Sequence, residues 1–85
     1  MDRHVILGVH LTDRLTHANR VQEVFTEFGA HIRTRLGLHD VGAHGSSPSG
    51  VILLDVSGDD QSLDRMSQRL AAIEGVEVQR MVFTH

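Results

Sequence analysis

The chain has 85 residues, 40% of them apolar, a formal charge of −3, and no cysteine, tryptophan or tyrosine. A chain this short buries only about 60–65% of its unfolded surface, so a single domain spanning residues 1–85 is expected. Disulfides, thiolate metal sites and thiol catalysis are excluded, and eight arginines without a lysine, spread along an acidic chain, argue against a nucleic-acid surface.

Nothing near Met1 resembles a signal peptide or a membrane span, so a cytoplasmic protein with no membrane partner is expected. Phe25, Phe28 and Phe83 are the only aromatic residues. The core must therefore be aliphatic, and self-association is expected to add burial that a monomer lacks.

Residues Arg3 to Leu11 alternate, with Val5, Leu7, Val9 and Leu11 on one side and His4, Ile6, Gly8 and His10 on the other, the period-two mark of a strand. Thr12 and Asp13 suit a helix start, and Ala18, Val21, Phe25 and Phe28 keep helical spacing, so a helix from Arg14 to Phe28 is expected. Gly29 is expected to stop it in the left-handed conformation. Alternation resumes from His31 to Leu38, which sets Ile32, Thr34, Leu36 and Leu38 against His31, Arg33, Arg35 and Gly37. This predicts a second strand with a charged outer face.

From His39 to Ser49 the chain turns to Gly, Ser, His and its only proline, Pro48, and a flexible connection (39–49) between two antiparallel strands is expected. Gly50-Val-Ile-Leu-Leu-Asp-Val-Ser-Gly58 follows, and its unbroken aliphatic run reads as a strand buried on both faces. Asp59 or Asp60 caps a helix whose apolar positions Leu63, Met66, Leu70 and Ile73 step by three and four, and Gly75 ends it. Val76 to Phe83 forms the last strand.

The order β-α-β-β-α-β predicts an α+β, ferredoxin-like sandwich in which two helices cover one face of a four-stranded antiparallel sheet. The other face would be bare. Ile6 and one parity of the run Val51, Ile52, Leu53 and Leu54 would expose apolar surface there, rimmed by His31, Arg33, Arg35, Glu77 and Gln79. An apolar centre with a polar rim predicts a dimer or tetramer formed through the sheet face.

Arg35-Leu-Gly37-Leu, then Gly50-Val-Ile-Leu-Leu-Asp-Val-Ser-Gly-Asp59, then Ile73-Glu-Gly-Val-Glu-Val78 resemble the small ACT-like regulators of iron-only hydrogenase systems. The likeness runs from about His4 to Phe83. It implies an ACT-like fold and an oligomeric, non-catalytic regulatory or ligand-sensing module. His39 stands where many members carry proline, and the second helix here reads Met66-Ser-Gln-Arg-Leu-Ala without the glycine of a longer family version. A more distant resemblance is to the C-terminal domain of nickel-responsive repressors, which bind metal with histidines near the second strand. His31 and His39 flank that strand here, but the cysteine ligand has no counterpart.

Seven histidines suggest a transition metal as a possible cofactor. His4 and His10, six apart on an extended strand, lie about 20 Å from each other, too far to share an ion. The best local cluster is His39, Asp40 and His44, read either as metal ligands or as solvated loop groups. Arg33 and Arg35, with His39, are the candidates for a small anionic ligand, because a guanidinium binds carboxylate or phosphate bidentately. Asp55 or Asp40 could pair with these arginines, which also read as solvated charges that protect a sheet edge. Asp13 and His17 lack a nucleophile, Ser46 and Ser47 lack a strand-to-helix elbow, and Arg14 with Asn19 does not reproduce an acylphosphatase loop. No enzyme is expected.

Overall fold

The computed structural model describes residues 3–12, 14–39 and 50–85; for residues 14–16 and 39 only the backbone is described. Strand β1 (Arg3–Leu11), helix α1 (Arg14–Glu27), a 3-10 turn (Gly29–His31), strand β2 (Ile32–His39), strand β3 (Gly50–Val56), helix α2 (Asp60–Ala71) and strand β4 (Val76–Thr84) follow in chain order. The four strands form one antiparallel sheet in the order β2-β3-β1-β4. This is the ferredoxin-like βαββαβ arrangement predicted from the sequence.

Both helices lie against the sheet face that carries Val5, Leu7, Val9 and Leu11. Leu7, Val9, Leu54, Leu63, Met66 and Leu70 have no more than 1% exposure, and burying each of these side chains is worth roughly 1.5–3 kcal/mol. Helix α1 contributes Val21, Val24 and Phe25, and Phe28 just beyond it continues the same stripe. Asp59 caps α2 by accepting the Ser62 backbone N–H at 2.7 Å. Arg69 on α2 donates to both carboxylate oxygens of Glu27 on α1 at 2.6 Å, tying the helices together at the surface. Arg80 reaches Asp64 at 2.9 Å, and Arg3 pairs with Asp60. These pairs are exposed, so each contributes no more than about 1 kcal/mol.

Gly29 does not end α1 in the left-handed conformation. The chain enters the 3-10 turn instead, and Gly58 and Gly75 are the described glycines with positive φ. At Gly75, φ is 81°, and its carbonyl accepts the Thr12 N–H at 2.8 Å, closing the helix-to-strand turn against the end of β1.

The strand faces resolve one expectation and correct another. Leu54 pairs with Leu7, is fully buried and faces the helices, and Ile52 packs against the same core. Among Ile6, Val51, Ile52, Leu53 and Leu54, the candidates for an outward interface, Ile6, Val51 and Leu53 lie on the open face, so the outward parity of β3 is that of Val51 and Leu53. On β2 the parity is inverted, because the register shifts between Ile32 and Thr34 and leaves Arg33 as an extra residue. Beyond that shift Leu36 and Leu38 pair with Leu53 and Val51 on the open face, while Arg35 pairs with Leu54 on the helix side. The outer face of β2 is thus apolar, not charged.

Candidate functional site

Arg35 emerges on the helix side of edge strand β2, where α1 covers the sheet. Its guanidinium lies 5.0 Å from the centroid of the Phe25 ring and donates a hydrogen bond to Gln22 Oε1 at 3.1 Å. Gln22 and Phe25 are one helical turn apart on α1 and so present one face to the arginine. Beside them a cavity of about 310 Å³ opens between α1 and the ends of β2 and β3, walled by Leu11, Ala18, Val21 and Ile52. Gly37 and Gly50 leave room at its margin. An apolar hollow with a cation and an amide at its edge can hold the apolar part of a small molecule while the guanidinium takes an anionic group.

Arg33, His31 and Asp55 stand apart from this site. Arg33 is exposed at the register shift. His39 is the last residue of β2, and the expected metal group of His39, Asp40 and His44 lies beyond the described side chains, since Asp40 and His44 are outside the described residues. Among the described residues there is no group of three His, Asp or Glu placed to hold a metal ion. His31 does not rim the open face. Its Nδ1–H donates to the Ser57 carbonyl at 2.9 Å while the Ser57 N–H donates back to the His31 carbonyl at 2.8 Å, locking the start of β2 to the turn before α2. Asp55 pairs with His4 across the open face at 3.0 Å and with neither arginine. The Ser62 backbone N–H, followed by the Ser62 hydroxyl, holds the Asp59 carboxyl below its usual range, and the charges of His31 and Arg65 act in the same direction.

No protein-family model matches the chain, and no curated protein matches it. Among solved structures, the uncharacterized protein TM1266 from Thermotoga maritima is 23% identical, with 98% of this chain and 100% of that chain covered at a TM-score of 0.81. The ACT domain from GTP pyrophosphokinase of Chlorobium tepidum is 19% identical over 95% of this chain and 100% of that chain, with a TM-score of 0.69. CPII, a nitrogen regulatory PII-like protein from Thiomonas intermedia bound to ADP, AMP and bicarbonate, is 14% identical over 99% of this chain and 96% of that chain, with a TM-score of 0.58. At such identities the likeness establishes an ACT-like fold, and a fold of this kind hosts unrelated tasks.

Sequence reasoning picked out Arg35 but missed its partners. Val21 and Phe25 read only as core positions, and Gln22 is not singled out. The available signal was the three-residue spacing from Gln22 to Phe25, which sets an amide beside an aromatic edge. Among the described residues, no helix is long and apolar enough to cross a membrane.

Proposed function

We propose that the chain is a homo-oligomeric regulatory module that binds a small anionic ligand in the cavity beside Arg35 and carries out no chemistry on it. The observation that carries this reading is the Arg35 guanidinium, held by Gln22 and Phe25 at the mouth of an apolar hollow. A guanidinium and a carboxamide are neither acids nor bases near neutral pH, so they suit retention better than proton transfer. At about 310 Å³ the cavity lies at the small end of ligand pockets, which favours a bicarbonate or a compact carboxylate over a whole nucleotide. The fold neighbours give independent support, since one is a PII-like nitrogen regulator bound to ADP, AMP and bicarbonate and another is an ACT domain.

The resemblance of the sequence to regulators of iron-only hydrogenase systems supplies the cytoplasmic process we assign to the module. Self-association through the open sheet face completes the proposal. Four of its large apolar residues stay exposed in the single chain: Leu36 at 55%, Leu38 at 44%, Met81 at 53% and Phe83 at 54%.

The test is calorimetric titration with bicarbonate, small amino and hydroxy acids, and adenine nucleotides, on the native protein and on Arg35→Ala. Binding of one small anion by the native protein and its loss in the variant is the expected result. No binding by any of them, or equal binding by both proteins, would overturn the ligand reading.

A further inference from the structure

The open face of the sheet is not flat. Register places its residues in rows across β2, β3, β1 and β4: Leu36, Leu53, Gly8 and Gln79 in one, Leu38, Val51, His10 and Glu77 in the next, and Thr34, Asp55, Ile6 and Met81 on the other side. In the middle row a leucine pair on β3 and β2 stands beside a glycine on β1. The missing side chain leaves a hollow of about 450 Å³ bordered by Ile6, Val51, Leu53, Gln79 and Met81. At that height the face protrudes at Leu36 and Leu53 and is recessed at Gly8.

We infer that a second copy of this chain covers the face, related by a two-fold axis that runs along the strands between β1 and β3, so that Leu53 of each copy seats over the partner's Gly8. This rests on the sheet-face self-association proposed above. Such an axis exchanges β3 with β1 and β2 with β4 while keeping position along the strands. It therefore sets Leu53 against the glycine hollow once in each direction, and Leu36 against the partner's Gln79 at the flanks. A two-fold axis across the strands, through the same row, would instead stack Leu53 on Leu53 and Gly8 on Gly8, which collides on one side and leaves a void on the other. Close-packed interfaces favour the first arrangement.

Area and charge agree with a second copy as the occupant. Four strands at about 4.8 Å spacing and some 30 Å of strand length give roughly 550 Å² before side-chain relief, approaching the ~800 Å² per partner of a standard interface. The same axis sets Glu77 over the partner's Leu38, but both lie on edge strands, so the Glu77 carboxylate can reach water at the rim while its methylenes cover the leucine. Asp55, nearer the centre, already holds His4 Nε2 at 3.0 Å, so covering it does not strand an unpaired carboxylate.

The native chain has no cysteine, which makes a cross-linking test direct. Sheets packed face to face lie ~10 Å apart, within reach of a short bis-maleimide. Sedimentation of the native protein should show a dimer. A mixture of Leu36→Cys and Gln79→Cys proteins should cross-link, while neither variant alone does so. Gly8→Leu should weaken dimerisation at least tenfold while keeping the native circular dichroism, because a Cβ at Gly8 meets its nearest neighbours at 3.9 Å, ordinary contact distance. A monomeric native protein would overturn the self-association reading and this inference together. A dimer in which Gln79→Cys cross-links to itself, in which the mixture fails to cross-link, or which Gly8→Leu leaves unweakened, would overturn the axis alone.

Discussion

The Arg35 guanidinium sits 5.0 Å from the centroid of the Phe25 ring, with Gln22 Oε1 accepting one of its hydrogens at 3.1 Å. The arginine is exposed, so the cation–π contact contributes only about 0.5–1 kcal/mol to stability. Its geometric effect is larger, because ring and amide together hold the charged fork at the cavity mouth. Arg35→Ala is therefore expected to lower the unfolding free energy in urea by no more than about 1 kcal/mol and to abolish binding of the small anion. Arg35→Lys should keep the charge but lose the planar fork and the stacked position, leaving weak binding by calorimetry.

Leu53 and Leu54 are neighbours in sequence but belong to different energetic settings, one toward the open face and the other at 0% exposure in the core. Leu54→Ala should cost about 2–5 kcal/mol, the range for a cavity left in a packed interior. Leu36→Ser, on the exposed outer face, should change monomer stability by no more than about 0.5 kcal/mol and act mainly on association. Urea unfolding at a fixed, low protein concentration separates the two effects, because dimerisation would otherwise add to apparent stability.

This division was only half legible in the sequence. On β1 the four apolar residues Val5, Leu7, Val9 and Leu11, alternating with His4, Ile6, Gly8 and His10, identify the core face directly. Val51 to Leu54 are apolar without interruption, so periodicity marks a strand and says nothing about which residues face inward. On β2 the alternation was clear but misleading. One extra residue at Arg33 lets Ile32 lie toward the core and still turns Leu36 outward and Arg35 toward α1. A one-residue slip exchanges every side chain between faces, and nothing in the composition around Arg33 marks the shift. The arginine was the right residue to single out, but its surroundings depend on a register that emerges only from pairing with β3.

Asp59 provides the pH-dependent prediction. Its carboxylate accepts the Ser62 N–H at the start of α2, and its folded-state pKa is lowered. A lowered carboxyl pKa adds stability above the unfolded-state value, and that contribution is lost as pH falls through the folded value. Asp59→Asn retains a side-chain acceptor for the cap but removes the charge. The native protein should therefore be the more stable of the two at pH 7, with the gap closing as the solution is acidified below about pH 4. Thermal unfolding of both proteins between neutral and acid pH measures it, and a gap that does not change with pH would show that the carboxylate charge has no part in the cap.

Gly58 is constrained twice. Its φ is 141°, in the region L-residues rarely adopt, and a Cβ there would stand 2.5 Å from His31 Nδ1. That ring cannot retreat freely, because its Nδ1–H is committed to the Ser57 carbonyl and the Ser57 N–H returns to the His31 carbonyl. Gly58→Ala is expected to destabilise the protein by about 1–3 kcal/mol through backbone strain alone, and by more with the collision. His31→Ala removes the ring and its hydrogen bond at a smaller cost, near 1 kcal/mol. In the double variant the collision disappears while the strained φ remains, so its loss of stability should be less than the sum of the two single losses. A double-mutant cycle in urea reads that coupling directly. Simple additivity would mean that His31 and Gly58 do not press on each other.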